Sequence, residues 1–195
     1  FLKPVKDKIF FSIEKSKQNQ KLGILEQLDL KSHQRRALLS GRADSEHFLY
    51  DESIRIPFLL TGVNVPQKKI ISQQVRSVDI MPTICELVGI QNPLEIDGQS
   101  LLPLIQGKEM NETPAYIEST PLVLSESDDV IGIRTSEFKY FRDKNDSRKR
   151  IHLYDLKNDP FEDVNISESN TDIVSKLESI LQNVLKNEFV NKVND

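Results

Sequence analysis

The chain has 195 residues, of which 37% are hydrophobic and 29% charged, and its formal net charge is −4. This composition is ordinary for a globular protein with a buried core and excludes disorder of the whole chain. Its apolar runs are strand-sized, far below the roughly 20 residues of a membrane helix, so we expect no membrane span. The single cysteine, Cys85, excludes an internal disulfide and leaves the compartment open.

The N-terminal region is the basic part of the chain. Residues 1–45 hold ten Lys or Arg against five Asp or Glu. The lysines are spread out without interleaved aromatic residues on which bases could stack, so we interpret them as solvated surface and predict no nucleic-acid partner. The chain begins at Phe1 with no recognisable targeting segment, and we expect it to be a fragment.

The first half of the chain predicts helices and one buried strand. Residues 1–20 are typical of a frayed helix or an unsupported end, and the near-helical apolar spacing in residues 22–30 predicts a short amphipathic helix. Residues 54–61 (IRIPFLLT) are apolar on both alternating sets, as in a parallel strand covered on both faces. We therefore expect three of their side chains to be buried in a main sheet: Ile56, Phe58 and Leu60.

The clearest helix signal lies in residues 77–89 (SVDIMPTICELVG). Asp79 is a plausible N-cap, Pro82 is tolerated in the first turn, and Gly89 is a typical C-terminal stop. The pattern predicts an amphipathic helix with one apolar face.

The second half of the chain predicts a small antiparallel sheet with a helix on it. Short strands are indicated at residues 116–117, 130–135, 138–142 and 151–154, the middle two joined tightly at Ser136-Glu137. A helix is predicted from about Thr171. Its apolar stripe is able to lie on the sheet and consists of Ile173, Leu177, Ile180, Leu181, Val184 and Leu185.

Four segments, in order, resemble the C-terminal half of sulfatases of the alkaline phosphatase superfamily. Residues 50–58 (YDESIRIPF) match the family pattern Tyr-Glu-Glu-Ser-x-Arg-x-Pro. Residues 78–83 (VDIMPT) and 97–107 (DGQSLLPLIQG) match a helix beginning Asp-x-x-Pro-Thr and a later Asp-Gly-x-Ser-Leu-x-Pro-Leu. Residues 133–140 (IRTSEFKY) match Arg-Thr-x-x-x-Lys-Tyr, and residues 153–165 (LYDLKNDPFEDVN) match Leu-Tyr-Asp-Leu-x-x-Asp-Pro-x-Glu-x-x-Asn. Their order and spacing extend the resemblance over residues 46–190.

The resemblance implies the fold and the reaction class. We expect an α/β protein: the C-terminal portion of an alkaline-phosphatase-like α/β/α sandwich, followed by a small antiparallel sheet with a C-terminal helix. Residues 1–107 would be a remnant of the main domain and residues 108–195 a C-terminal α+β subdomain. The implied function is hydrolysis of a sulfuric ester, with a sulfated small molecule or sulfated glycan as substrate. Most motif residues, such as Arg55 and Asp159-Pro160, are interpreted as scaffold.

The same resemblance implies chemistry whose residues are missing here. Sulfatases use a formylglycine nucleophile, made from Cys or Ser in a Cys/Ser-x-Pro-x-Arg motif, and a divalent cation, usually calcium, on oxygen ligands. Cys85 is followed by Glu86-Leu87 and lacks that motif. The family's last pair of metal ligands should fall between Leu30 and Glu46, where residues 37–41 (ALLSG) are interpreted as the remnant of the preceding strand. We therefore predict that this chain has no catalytic or metal residue and completes neither cofactor.

Two residues are candidates for substrate binding. Glu46 stands four residues before Tyr50, where the family carries a sulfate-contacting lysine, and a carboxylate there would repel sulfate. His47 could donate a proton or bind metal, but a structural role fits it better, as for His33 and His152. Two alternatives stay open: a phosphoric or phosphonic ester hydrolase of the same superfamily, and a non-catalytic, decayed homologue.

Overall fold

The structure is a computed structural model that describes residues 3–39, 49–63, 65–91, 96–120 and 129–193. Glu46 and His47 lie outside the described residues. The chain divides into two compact units: unit 1 comprises Phe1–Ile56 and Tyr116–Asp195, and unit 2 comprises Pro57–Ala115. The predicted boundary near residue 107 stays a prediction.

Unit 1 is built on a four-stranded sheet, in the order β1 (Ala115–Ser119), β2 (Val130–Arg134), β3 (Phe138–Asp143) and β4 (His152–Asp155). Strand β3 pairs antiparallel with both β2 and β4. The β2–β3 connection is tight, since the Thr135 N–H donates to the Phe138 carbonyl at 2.8 Å. The predicted antiparallel hairpin is confirmed.

One face of the sheet is covered by the C-terminal helix α6 (Thr171–Val193). The buried core between them contains Ile131, Ile133, Tyr140, Leu153, Leu177 and Leu181. At the edge of this core, Arg142 donates two hydrogen bonds to Glu178, at 3.1 and 3.0 Å. The predicted helix and its apolar stripe are therefore confirmed.

The other face of the sheet is covered by the segment that leads into the short helix α3 (Asp51–Ile54). Leu49 and Tyr50 pack there against Val130, Phe141 and Tyr154. The Tyr50 ring meets the Phe141 ring edge to face, with centroids 5.9 Å apart. Both faces of this small sheet are thus buried.

Two helices precede this segment and correct two predictions. Helix α1 (Lys3–Leu25) ends in a turn after Leu25. The prediction of a separate helix over residues 22–30 was therefore wrong. The Lys, Gln and Glu residues of 14–21 favour helix, and they extend it far to the N-terminal side. Helix α2 (Ser32–Leu39) contains residues 37–39, which were predicted as a strand remnant; no described strand lies beside them to pair with.

Unit 2 contains a 3₁₀ turn (Ser77–Asp79) and helices α4 (Ile80–Leu87) and α5 (Leu102–Gln106). The predicted helix is present, but the Asp79 carboxylate does not cap α4. It accepts the N–H groups of Arg76 and Gln99, at 2.8 and 3.0 Å, and pairs with the Arg76 guanidinium. Gly98 lies so close to the Val78 carbonyl that a Cβ would overlap its oxygen, which explains the Asp-Gly motif.

Residues 54–61 do not form the predicted strand. Ile54 ends α3, and the following residues have no regular secondary structure. Ile56 and Phe58 are 63% and 43% exposed, so their predicted burial was wrong. The physical reason is that no strand in the described residues lies alongside to accept their backbone hydrogen bonds. The described helices include none with the length and apolar character needed to cross a membrane.

Candidate functional site

Residues from three of the four resembling segments meet in a buried ion network. The ammonium group of Lys139, in β3, lies 2.5 Å from Asp51 Oδ1 and 2.6 Å from Glu162 Oε1. The side chains of Lys139 and Glu162 are completely buried. We call Asp51, Arg134, Lys139 and Glu162 the Lys139 network.

Arg134 and the backbone complete the network. The guanidinium of Arg134 donates two hydrogen bonds to the Asp51 carboxylate, from Nε to Oδ1 at 2.9 Å and from Nη2 to Oδ2 at 2.6 Å. The backbone N–H of Asp51 donates to Glu162 Oε2 at 2.7 Å. Two positive and two negative charges therefore balance, and each carboxylate is held from two directions.

The two carboxyl groups of the network titrate differently. Burial alone would raise the pKa of Asp51, but the hydrogen bond from Arg134 and the charge of Lys139 outweigh it and lower that pKa to about 2. For Glu162 burial dominates and raises the pKa, although the charge of Lys139 and the Asp51 N–H oppose it. Asp51 is therefore ionised throughout the neutral range and is no general base.

Strand alternation explains why a lysine points into the interior. Successive side chains of β3 point to opposite faces, so Tyr140 faces α6 while Lys139 and Phe141 face the 49–54 segment. The same alternation aims Arg134, at the end of β2, towards Asp51. The Arg-Thr-x-x-x-Lys-Tyr pattern thus places both cations of the network, Arg134 and Lys139, on one hairpin.

Glu162 lies in a turn that is formed by residues of the fourth motif. The Asp159 carboxylate accepts the N–H groups of Asp163 and Val164, at 2.7 and 2.9 Å. Glu162 itself has a φ of 55°, in the left-handed region that is uncommon for residues other than glycine. Asn165 then ties the turn to β4, since its Oδ1 accepts the Leu153 N–H at 3.0 Å. The motif residues Asp159, Glu162 and Asn165 build this turn.

Helix α2 is anchored beside the network by Arg36. Its guanidinium lies 4.2 Å from the Tyr50 ring centroid, pairs with Glu52 at 2.9 Å, and donates to the Glu162 carbonyl at 3.2 Å. His33, from the same helix, stacks on Phe161 with ring centroids 4.5 Å apart. These contacts dock α2 on the turn that carries Glu162.

A second polar chain runs through the aromatic cluster on the same face. His152 Nδ1 lies 3.0 Å from the Tyr154 hydroxyl, which lies 3.0 Å from the Tyr50 hydroxyl. Burial, with a smaller contribution from Arg150, lowers the pKa of His152 to about 4, and burial raises the pKa of Tyr154. His152 is therefore neutral and Tyr154 protonated at neutral pH. These hydrogen-bonded side chains carry no charge under those conditions.

The described residues offer no place for the family's cation. No three His, Cys, Asp or Glu side chains are grouped there as metal ligands would be. The carboxylates of Asp51 and Glu162 are already engaged by the two cations of the network. Cys85 lies in α4 and is half-buried. The expected calcium and formylglycine do not fit these residues, and no reaction step follows from them here.

The Lys139 network itself was not predicted from the sequence. Its residues were noticed only as parts of motifs with a scaffold role. The available signal was a lysine in an apolar strand, at position 139 between Phe138 and Tyr140, because such a charge needs a buried partner.

A protein-family model described as "N-sulphoglucosamine sulphohydrolase, C-terminal" matches residues 43–187, most of the chain and all four network residues. The chain belongs to the sulfatase family. Arylsulfatase K of Rattus norvegicus is 29% identical over 143 residues, covering 70% of this chain and 25% of the relative. The Delta 4,5-hexuronate-2-O-sulfatase of Bacteroides thetaiotaomicron is 30% identical over 138 residues, 67% of this chain and 28% of the relative. The chain thus spans about a quarter of the length of these relatives.

A solved structure supports the fold of this chain. It is a 2-O GAG sulfatase with 24% sequence identity and a TM-score of 0.52, and the match covers 66% of this chain and 29% of that structure. The sulfatase fold expected from the four motifs is confirmed.

Proposed function

We propose that this chain supplies the C-terminal region of a sulfuric ester hydrolase, in which it supports the catalytic domain. The observation that carries the proposal is the Lys139 network. Three motif segments that are far apart in sequence converge there on one buried, charge-balanced centre, in a chain that the family model matches over residues 43–187.

The chemistry of the network supports a structural role. Its charges neutralise one another, and Lys139 and Glu162 are inaccessible to substrate. Removing any single partner would leave an uncompensated buried charge, so the network locks the 50–54 segment to the hairpin and to the 159–165 turn. Glu46 and His47 stay proposed residues of the substrate site: Glu46 stands at the position of the family's sulfate-contacting lysine, where its carboxylate would repel sulfate.

The proposed substrate is a sulfate ester on a saccharide. One relative is named as a hexuronate-2-O-sulfatase, which acts on a sulfated sugar acid. The proposed cofactors are calcium, which would polarise the sulfate group, and formylglycine, which would supply the nucleophile. Since the described residues do not fit either group, both would be held outside the described part of this chain.

The test is expression of the complete product of the gene that encodes this sequence, in a host that converts Cys or Ser to formylglycine. We expect hydrolysis of 4-nitrophenyl sulfate or of a 2-O-sulfated uronate disaccharide, and loss of this activity with a calcium chelator. Hydrolysis of 4-nitrophenyl phosphate alone would favour the phosphoric ester alternative. No hydrolysis of any ester would favour a non-catalytic homologue.

A further inference from the structure

Helix α1 is exposed along almost its whole length of 23 residues. Among its side chains that the structure describes, only Leu25, at the end of the helix, is buried. A long helix with so little of its surface packed against the protein presents that surface to other molecules. The residues on the surface therefore decide which partner fits.

Helix α1 carries a strong positive charge in an acidic chain. It contains six lysines against two acidic residues, Asp7 and Glu14, so its formal charge is +4. Because the whole chain has a net charge of −4, the residues outside α1 together carry −8. A separation of charge of this size directs anions, above all polyanions, to the basic part of the molecule.

The helix brings together three lysines that are unevenly spaced in the sequence. At about 100° per residue, Lys6, Lys17 and Lys21 lie within a sector of about 60° around the axis. All three are exposed. At about 1.5 Å per residue they extend over roughly 22 Å along the axis. We call these three residues the lysine stripe. Lys8 lies about 180° from Lys17 and is therefore on the opposite side of the helix.

The length of the lysine stripe determines the kind of anion that fits. Three cations spread over roughly 22 Å cannot converge on one small anion. They match an extended molecule that carries negative charges at several points. Lysine suits such a partner, because its ammonium group is a point charge on a flexible four-carbon stem and needs no fixed geometry to meet an anion.

The apolar residues of α1 distinguish between extended partners. A helix that binds a lipid surface keeps its apolar residues on one face and its basic residues on the other. On α1 the two kinds share one side, because Ile13 and Ile24 lie within about 40° of Lys17 around the axis. These two isoleucines are 48% and 63% exposed. This arrangement favours a soluble polyanion over a lipid surface.

We infer that the lysine stripe is a binding surface for a sulfated polysaccharide. This inference rests on the proposed function, whose substrate is a sulfate ester on a saccharide. A polysaccharide with sulfate groups repeated along its length is an extended, soluble polyanion, as the stripe requires. Binding to α1 raises the concentration of sulfated chains near the protein, and salt weakens the binding by screening the charges.

The test measures binding of fluorescein-labelled heparin to the 195-residue chain by fluorescence anisotropy at low ionic strength. The stripe variant is Lys6→Gln/Lys17→Gln/Lys21→Gln, which keeps α1 helical because Gln favours helix about as well as Lys. The control is Lys8→Gln/Lys157→Gln/Lys176→Gln, which removes the same number of charges at exposed positions outside the stripe. Both variants have the same net charge and differ only in where the charge is lost.

We expect the dissociation constant to rise about tenfold in the stripe variant and less than about threefold in the control. The dependence of binding on salt should weaken in the stripe variant alone. A third variant, Lys6→Arg/Lys17→Arg/Lys21→Arg, keeps the charges and should bind heparin at least as tightly as the wild type. Equal losses in the stripe variant and the control would overturn the proposal, and so would loss of binding in the arginine variant.

Three other probes test the choice of partner. They are hyaluronan, a polysaccharide with carboxylates but no sulfate, duplex DNA, and vesicles of phosphatidylserine and phosphatidylcholine. We expect each to bind more weakly than heparin. Equal or tighter binding of any of them would overturn the assignment to a sulfated polysaccharide. Heparin binding is measured without sulfate hydrolysis, so the lysine stripe can fail this test while the proposed function stands.

Discussion

Lys139 Nζ lies 2.6 Å from Glu162 Oε1, and neither side chain reaches solvent. This ion pair joins strand β3 to a surface turn. Asp51, which also contacts Lys139, begins helix α3. Because buried charges are costly without partners, the stability of this region depends on all the members being present together.

The first prediction concerns removal of the central cation. Lys139→Met keeps most of the length of the side chain but leaves Glu162 buried without its cation. We expect a loss of about 3–5 kcal/mol in the free energy of unfolding, measured by urea titration followed by circular dichroism. The control is Lys149→Met, whose side chain is 71% exposed, and a change within about 0.5 kcal/mol is expected.

The double variant Lys139→Met/Glu162→Gln tests the coupling. It removes one positive and one negative charge and leaves the Asp51–Arg134 pair in place. The loss should therefore be clearly smaller than the sum of the two single losses. Additive losses would mean that the two side chains do not stabilise each other.

The second prediction concerns the tight packing of Gly98. A Cβ at this position would overlap the Val78 carbonyl oxygen, so Gly98→Ala should destabilise unit 2 by about 1–3 kcal/mol. The readout is faster hydrogen exchange of the Gln99 and Leu101 amides, which donate to Asp79 and Thr83. Gly23→Ala is the control, because nothing lies within 4 Å of its Cβ position and alanine favours helix. Unchanged exchange in Gly98→Ala would contradict the close approach.

These contacts show what the sequence could and could not predict. The β2–β3 hairpin and α6 were predictable because their signals are local: alternating apolar residues at 130–142 and a helical stripe from Ile173 to Leu185. The partners of Lys139 were not, because Asp51 and Glu162 come from distant segments and no local rule connects them. The prediction of a strand at residues 54–61 was wrong for a related reason. A strand forms only beside another strand, and the described residues contain none that pairs with this segment.

The third prediction is a pH dependence of stability due to His152. Its pKa is lowered from the ordinary 6.5 to about 4, so between these values the unfolded chain binds a proton that the folded chain excludes. Stability from this group is therefore fully present above pH 6.5 and is lost as the pH falls towards 4. His152→Phe retains an aromatic ring to stack on Phe141 but cannot titrate. Its thermal midpoint should fall less than that of the wild type between pH 7 and 4.5; equal falls would exclude His152 as the cause.

The fourth prediction concerns local stability. In the isolated chain, hydrogen exchange should be slower in residues 130–185 than in residues 1–60. Strands β2 and β3 are buried on both faces and covered by α6, whereas α1 exposes Ile9, Ile13 and Ile24 to solvent. The reverse order of protection would contradict the view that the sheet and α6 form the stable part.

The last prediction is that this 195-residue chain hydrolyses no sulfate ester and binds calcium only weakly. A calcium site needs six to eight converging oxygen ligands, and no three candidate side chains are grouped in the described residues. The two buried carboxylates of the Lys139 network are held by Lys139 and Arg134, so releasing either one for calcium would leave two cations of the network facing a single carboxylate.

Hydrolysis also needs a positioned nucleophile and cations near the departing oxygen. Cys85 has no Pro-x-Arg motif after it, and the resemblance predicts a carboxylate, Glu46, at the position of the family's lysine. The chain should therefore show no turnover of 4-nitrophenyl sulfate, with or without added calcium, and no calcium binding by isothermal titration at micromolar concentration. Turnover that disappears in Glu46→Gln or His47→Ala would show that residues 46–47 form part of an active centre within this chain. In that case the chain would catalyse the reaction itself, and the purely supporting role proposed for it would be wrong.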